Sequence, residues 1–155
     1  MTALALDTNV LVYAEGLVRQ PDDDAKVVRS RAVLRQLITA RVRPVAPIQV
    51  LAELHQVLVR HGGLTPASAS HAIGAWRDRT DVVSTDGDVF AGALSLTRDH
   101  GLQVFDAIVL AGAAEASCEA LLSEDVHDGF VWRGVQVINP FQAAGEARLG
   151  RILAR

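Results

Sequence analysis

The sequence alternates short apolar segments with longer segments of helical periodicity, and this alternation limits the possible folds more than any other feature. It predicts strands at residues 3–6, 45–46, 82–84, 120–123 and 135–138. It predicts helices at residues 25–40, 47–61, 66–79, 86–100, 105–116 and 141–155. Strands that alternate with helices indicate an α/β protein with a mainly parallel sheet. A chain of 155 residues fits one such domain, residues 1–155.

Cysteine and charge content limit the setting of the protein. Cys118 is the only cysteine, so no disulfide forms within the chain, and its Ala-rich surroundings predict a small core residue. Neither a signal peptide nor an apolar run of about 20 residues is visible, so we expect a cytoplasmic protein with no membrane segment. The net charge of −3 excludes a protein that coats nucleic acid. Lys26 is the only lysine, and the clustered arginines are either solvated helix faces or local basic patches.

An acid interrupts the apolar opening of the chain, ALALDTNVLV. Asp7 directly follows the first predicted strand, and burying its carboxylate is unfavourable unless a positive charge lies beside it. In open parallel sheets the ligand crevice lies beyond the carboxyl ends of the strands. We therefore expect Asp7 to project into that crevice.

Three further acids occupy comparable positions, and each has an ordinary structural alternative. Glu53 lies in the first turns of the second predicted helix and faces away from its apolar stripe, which also fits a solvated glutamate. Asp106 lies at the head of the most apolar helix, where it can equally be an N-cap. Asp125 follows the fourth predicted strand as Asp7 follows the first, although it can also be a turn residue.

Strand exits and helix starts at one edge of a parallel sheet lie close together, so these four acids are expected to converge. Carboxylates within a few ångströms of one another repel, so either their pKa values rise or divalent cations neutralise them. Oxygen ligands without histidine or cysteine favour Mg²⁺ or Mn²⁺ over zinc. Thr8, Asn9 and Ser123 are expected to orient the carboxylates or a bound water molecule. Such a site suits phosphodiester hydrolysis, because a bound ion lowers the pKa of a water molecule.

Four segments of the chain resemble the motifs of a known family. DTNVLVYA at residues 7–14 looks like the opening motif of PIN-domain proteins. The segments APIQVLAELHQVL, FDAIVLAGA and LLSEDVHDG, which contain the other three acids, resemble the later motifs of that family in the same order. The closing VQVINPF is similar to the end of VapC-type toxins, the PIN ribonucleases of bacterial toxin–antitoxin pairs.

This resemblance implies a three-layer PIN-like α/β fold and a Mg²⁺- or Mn²⁺-dependent endoribonuclease. It implies an acidic quartet with two accompanying hydroxyl groups, which are Asp7, Glu53, Asp106 and Asp125 with Thr8 and Ser123. Asp128 is a possible auxiliary acid of the same segment, although we interpret it as a loop residue. The resemblance further implies an RNA substrate, a homodimer and inhibition by a cognate antitoxin protein.

Two other functions are compatible with the sequence. A phosphotransfer enzyme of the haloacid-dehalogenase type also begins with an apolar strand and Asp, but it needs a second acid two positions on, where this chain has Asn9. A non-catalytic PIN module that binds RNA or a protein partner is the other alternative. The intact set of acids argues against it, because binding does not require four carboxylates that repel one another.

Two further interpretations concern the helices. The acids Asp22, Asp23 and Asp24 precede a helix, and we interpret them as capping residues and solvated surface. The helices between residues 25 and 79 carry apolar stripes that suit either a second subunit or an antitoxin peptide.

Overall fold

The computed structural model describes residues 2–155, in which strands and helices alternate. The strands are β1 (Ala3–Leu6), β2 (Arg43–Pro47), β3 (Asp81–Val83), β4 (Ala120–Leu122), β5 (Val131–Trp132) and β6 (Val135–Ile138). The helices are α1 (Thr8–Ala14), α2 (Asp23–Thr39), α3 (Ile48–Arg60), α4 (Pro66–Arg79), α5 (Gly87–His100), α6 (Val104–Glu115) and α7 (Ala143–Leu153). Within this range, no helix combines the length and the apolar character that crossing a membrane requires.

The strands form one sheet in the order β3-β2-β1-β4-β6-β5. All neighbouring strands are parallel except β5 and β6, which pair in antiparallel fashion. The prediction of a mainly parallel sheet is therefore confirmed. The chain runs from β1 to one edge through β2 and β3, and then returns to place β4 on the other side of β1. The junction of β1 and β4 is thus a topological switch point, the place where ligand crevices form in open α/β sheets.

Helices cover both faces of this sheet. Parallel crossovers are right-handed, so the helices between β1, β2 and β3 lie on one face, and those leading from β3 back to β4 lie on the other. In the second set, α6 contacts β2, β3, β4 and β6 and is buried from Ala107 to Ala113. The predicted three-layer α/β architecture is confirmed. The buried apolar residues form one core cluster, and we propose on that basis that the chain folds as one domain.

Local capping chemistry explains why several helices begin and end where the sequence predicts. The Thr65 side chain accepts a hydrogen bond from the Ser68 N–H, and Pro66 occupies the first turn of α4. The Asp86 side chain caps α5 in the same way. Gly101 ends α5 with φ of +70°, a left-handed conformation that glycine adopts without strain.

Two elements are absent from the sequence-based prediction. Helix α1 has only seven residues, and its apolar members continue the apolar pattern of β1, so periodicity alone does not separate the two elements. Strand β5 has two residues, which is too short for any alternation to be visible. The omission of α1 matters for function, because α1 follows directly from Asp7.

The interpretation of the acids before α2 as capping and solvated surface is wrong for Asp23. Asp22 and Asp24 are exposed, but Asp23 is only 4% exposed. Its Oδ2 accepts hydrogen bonds from the backbone N–H groups of Arg19 at 2.9 Å and Gln20 at 3.0 Å. These bonds lower the pKa of the Asp23 carboxyl group. The carboxylate thus satisfies the backbone of the preceding loop.

Cys118 lies in the core with 4% of its surface exposed, as the sequence predicts. Burial raises the pKa of its thiol to about 12. The thiolate, which is the reactive form, is therefore scarce at neutral pH.

Candidate metal centre

Asp7 joins the end of β1 to the start of α1. Its carboxylate is buried and caps the helix, because Oδ1 accepts a hydrogen bond of 2.7 Å from the Thr8 N–H. Its backbone N–H continues the pairing of β1 with β4 through a 3.0 Å bond to the Leu122 carbonyl oxygen. Asp7 is therefore fixed at the switch point of the sheet by both main chain and side chain.

The residues that follow β4 meet Asp7 from the neighbouring strand. The Ser123 hydroxyl donates a 2.6 Å hydrogen bond to Asp7 Oδ2 and accepts one of 3.1 Å from the Asp125 N–H. Ser123 is completely buried, whereas Asp125 is exposed. A single hydroxyl group thus links the two acids at the ends of β1 and β4.

Asp106 reaches the same edge of the sheet from the first turn of α6. The alternative interpretation of Asp106 as an N-cap is wrong, since Gln103 caps this helix. The Gln103 side-chain oxygen accepts hydrogen bonds from the N–H groups of Phe105 at 2.9 Å and of Asp106 at 3.1 Å. The Asp106 carboxylate is therefore not used to cap α6.

Asp7, Asp106 and Asp125 converge as a three-acid cluster. Each offers a carboxylate oxygen that lies within 4.8 Å of the oxygens offered by the other two. Among residues 2–155 this is the only group of three or more His, Cys, Asp or Glu side chains placed closely enough to share a metal ion. Three of the four acids expected to converge are thus brought together.

Glu53, the fourth predicted acid, lies beside this cluster but is not part of it. Its Oε2 accepts a 2.9 Å hydrogen bond from the Thr8 hydroxyl, and its Oε1 accepts one of 3.0 Å from Gln49. Its charge still reaches the cluster, where it contributes to raising the pKa of Asp106. Thr8 therefore connects Glu53 to the start of α1, next to Asp7.

Burial and mutual repulsion raise the pKa values of two acids in the cluster. Burial raises the pKa of Asp7 to about 7, and the charges of Asp125 and Asp106 add to this effect against the opposing hydrogen bonds from Ser123 and Thr8. Burial also raises the pKa of Asp106, with the charges of Asp125 and Glu53 contributing. The full negative charge of this cluster is thus unfavourable unless a cation compensates it.

Asn9 organises the cluster from α1. Its side-chain amide group donates to Asp125 Oδ2 at 3.1 Å and lies 3.4 Å from Asp7 Oδ2 and 3.5 Å from Ser123 Oγ. Its side-chain oxygen is buried and has no hydrogen-bond partner among residues 2–155. Asn9 thus supplies the cluster with a hydrogen-bond donor, whereas an ionised acid at this position can only accept hydrogen bonds. A dehalogenase-type enzyme needs an acid at this position, so the presence of Asn9 disfavours that alternative.

The donor set fits a hard divalent cation. The cluster offers carboxylate oxygens only, and the pKa values of Asp7 and Asp106 are raised. Oxygen ligands of this kind suit Mg²⁺ or Mn²⁺, and no histidine or cysteine is present in the group to favour zinc.

Asp128 lies outside the cluster, as expected for a loop residue. Its Oδ1 accepts a 2.8 Å hydrogen bond from the Asn139 N–H, and its Oδ2 forms an ion pair with Arg148 of α7. These partners help to lower the pKa of its carboxyl group against the opposing effect of burial. Asp128 therefore ties the loop after β4 to the C-terminal helix.

A second polar group beside the centre is missing from the sequence-based prediction. Glu124 accepts a 2.5 Å hydrogen bond from the Tyr13 hydroxyl and a 2.8 Å ion-pair contact from Lys26. The sequence offers two signals of this group, the single lysine Lys26 and the acid Glu124 next to Asp125. Nothing in the spacing of these two residues shows that they contact each other.

Comparison with known proteins places this fold and these acids in context. The sequence matches the PIN domain family over residues 4–127. No curated protein matches the sequence at a significant level. One solved structure of similar fold is a toxin–antitoxin complex from Klebsiella pneumoniae, with a TM-score of 0.61 and 16% identity, covering 88% of this chain and 97% of that chain.

Two further solved structures share the fold. VapBC2 from Rickettsia felis, bound to a DNA fragment from its promoter, has a TM-score of 0.61 and 15% identity over 88% of this chain and 97% of that chain. Mycobacterium tuberculosis VapC20, a Sarcin-Ricin loop cleaving toxin, has a TM-score of 0.58 and 17% identity over 79% of this chain and 91% of that chain. At these identities the likeness establishes a common fold. Because the family match spans most of the sequence and includes all four predicted acids, the chain belongs to the PIN domain family.

Proposed function

We propose that this protein is a Mg²⁺- or Mn²⁺-dependent endoribonuclease and the toxin of a type II toxin–antitoxin pair. The observation that carries the proposal is the cluster of Asp7, Asp106 and Asp125 at the switch point of the sheet. The proposal includes an RNA substrate in the cytoplasm, a homodimer and a cognate antitoxin protein as inhibitor. Membership of the PIN family and the shared fold with VapC-containing structures support it.

The three clustered acids would hold the ion, and Glu53 would act as the fourth acid beside them. A bound Mg²⁺ or Mn²⁺ would polarise a coordinated water molecule and lower its pKa, which would make that water a better nucleophile. Ser123 and Asn9 hold the carboxylates of Asp7 and Asp125 in place through hydrogen bonds. This chain therefore needs no nucleophilic side chain of its own.

Protonation of Asp7 controls whether the full set of ligands is available. With a pKa of about 7, Asp7 carries a proton in a large fraction of metal-free molecules at neutral pH. The proton must leave before all three carboxylates can serve as ligands. Metal binding is therefore expected to release protons and to weaken as the pH falls below 7.

RNA is the substrate that the relatives support. The solved structure of VapC20 is described as a Sarcin-Ricin loop cleaving toxin, and other solved structures of the same fold are toxin–antitoxin complexes. Asp125 is exposed, so a phosphate group of a large substrate can approach this member of the cluster.

The test is cleavage of RNA by the purified protein in Mn²⁺, in parallel with EDTA and with the variant Asp7→Asn. Asp78→Asn is the matched control, because it makes the same change at an exposed residue of α4. We expect cleavage by the wild type and by the control variant in Mn²⁺, and none in EDTA or with Asp7→Asn. Equal cleavage in every sample would indicate a contaminant and leave a non-catalytic binding module as the better explanation.

The toxin role requires a separate test in cells. Expression of the wild type is expected to arrest bacterial growth, and Asp106→Asn is expected to relieve the arrest because it removes one carboxylate of the cluster. Growth arrest that is equally strong with Asp106→Asn would contradict a toxin that acts through this site.

A further inference from the structure

One face of α1 holds two consecutive acids of the loop after β4. Asn9 donates to the Asp125 carboxylate at 3.1 Å, and Tyr13, one helical turn further on, donates to Glu124 Oε1 at 2.5 Å. Residues four positions apart lie on the same side of a helix. The loop is therefore attached to α1 at two adjacent points, one at the metal centre and one just outside it.

Lys26 of α2 completes the outer attachment. Its ammonium group lies 2.8 Å from Glu124 Oε2 and 3.4 Å from the Tyr13 hydroxyl. The same group lies 5.3 Å from the centroid of the Tyr13 ring and 5.8 Å from that of Phe141, within the range of cation–π attraction. Two aromatic rings and one carboxylate thus hold the only lysine of the chain in place.

The charge of Lys26 offsets the negative charge that Glu124 adds next to the cluster. Glu124 adds a fifth carboxylate beside Asp7, Glu53, Asp106 and Asp125, and its ion-pair partner is Lys26. The side chains of Lys26 and Glu124 are 32% and 18% exposed, so water screens their attraction only partly. The pair therefore restrains the loop on the side of α2 without placing a positive charge among the metal ligands.

We propose that Tyr13, Lys26 and Glu124 form a positioning group for Asp125, which fixes the loop after β4 and thereby sets the metal affinity of the centre. The three residues act through the peptide between Glu124 and Asp125 and do not contact the ion. This inference rests on the proposed function, since it assigns the loop a role in metal binding.

The substitution Lys26→Met separates positioning from simple electrostatics. Removing a positive charge near a cation site strengthens metal binding through space, whereas loss of positioning weakens it. We expect Mn²⁺ affinity to fall about tenfold in Lys26→Met, in the range typical of groups that orient metal ligands. Lys26→Arg keeps the charge and is expected to restore most of the affinity.

Arg148→Met is the matched control. Arg148 is paired with Asp128 of the same loop, with side chains 23% and 22% exposed, so the two ion pairs are similarly placed and similarly buried. The control also removes one positive charge, but Asp128, the partner of Arg148, is not next to an acid of the cluster in the sequence. We expect Mn²⁺ affinity in Arg148→Met to be unchanged or slightly increased. Mn²⁺ affinity that is unchanged or increased in Lys26→Met would overturn the proposal.

Amide hydrogen exchange in the metal-free protein gives a second measurement that does not depend on metal binding. Lys26→Met is expected to accelerate exchange at residues 123–126, while Arg148→Met leaves these amides as they are in the wild type. Exchange that is unchanged in Lys26→Met, or accelerated equally in both variants, would also overturn the proposal. A wild-type protein that binds no Mn²⁺ would contradict the proposed function, and the exchange comparison would still decide the positioning claim.

Discussion

Ser123 donates a 2.6 Å hydrogen bond to Asp7, although 116 positions separate the two residues in the sequence. The bond is buried and lies where the parallel strands β1 and β4 end side by side. It fixes one oxygen of Asp7, while the Thr8 N–H fixes the other. The most buried acid of the centre is thus oriented before any ion binds, which reduces the reorganisation that binding requires.

Stability of the metal-free protein is expected to fall as the pH rises from about 4 to about 7. The raised pKa of Asp7 means that the folded state binds more protons than the unfolded state between pH 3.8 and about 7. The free energy of unfolding therefore decreases with pH in that window, by on the order of 4 kcal/mol for a shift of this size. The raised pKa of Asp106 acts in the same direction. Denaturant unfolding at several pH values in EDTA measures the effect.

Asp7→Asn provides the control for this pH dependence. The variant lacks the titrating group, so its free energy of unfolding should fall much less over the same range. The carboxyl groups with lowered pKa, Asp23 and Asp128, change stability only at lower pH and do not mask the effect. A variant with the same pH dependence as the wild type would contradict the raised pKa of Asp7.

Glu53 and Asp106 should contribute unequally to metal binding. Asp106 belongs to the three-acid cluster, whereas both oxygens of Glu53 accept hydrogen bonds from Thr8 and Gln49. We expect Asp106→Asn to lower Mn²⁺ affinity at least tenfold. The loss of affinity in Glu53→Gln should be several times smaller than the loss in Asp106→Asn. Calorimetric titration with Mn²⁺ measures both. Equal losses would mean that Glu53 leaves its hydrogen bonds to join the cluster when the ion binds.

Cys118 should be unreactive in the folded protein. Its side chain is buried, and burial raises the pKa of the thiol to about 12, so the thiolate is scarce. A thiol reagent such as dithionitrobenzoate is expected to react slowly without denaturant and at once in unfolding concentrations of guanidinium. Rapid reaction of the native protein would show that the β4 side of the core opens readily.

Two glycines of α7 should respond in opposite directions to substitution by alanine. A Cβ atom at Gly145 would overlap the carbonyl oxygen of Asn139, whereas one at Gly150 would meet nothing within 4 Å. We expect Gly145→Ala to reduce the free energy of unfolding by about 1–3 kcal/mol through steric strain. Gly150→Ala is expected to raise it by roughly 0.5–1 kcal/mol, because alanine is the better helix former. Thermal or denaturant unfolding distinguishes the two, and equal effects would contradict the close packing of α7 on Asn139.

Features that depend on neighbouring residues were accessible from the sequence. The start of α4 is marked by Thr65 and Pro66, and the start and end of α5 are marked by Asp86 and Gly101. These signals are visible in the sequence because capping acts within a few positions of the chain. Helix α1 escaped prediction because its apolar residues continue the pattern of β1, and only the Asp7 cap separates them.

The centre shows the same division between local and distant information. The sequence predicts acids at the ends of β1 and β4, since Asp7 and Asp125 each come shortly after an apolar segment. That Gln103 rather than Asp106 caps α6 is a competition between two side chains, which only the folded helix resolves. Glu53 lies outside the cluster, and its two oxygens accept hydrogen bonds from Thr8 and Gln49 instead, which only the folded structure shows.

The sequence by itself determined the α/β order of elements, the family and the acids at the strand ends, because these follow from local patterns and short motifs. Only the tertiary structure decided which of the acids share one site and which side chains restrain them. The pairing of Tyr13 and Lys26 with Glu124 joins α1, α2 and the loop after β4, and no pattern along the chain encodes it. Such contacts arise when the sheet brings separate segments together, and their energies then decide how each carboxylate is held.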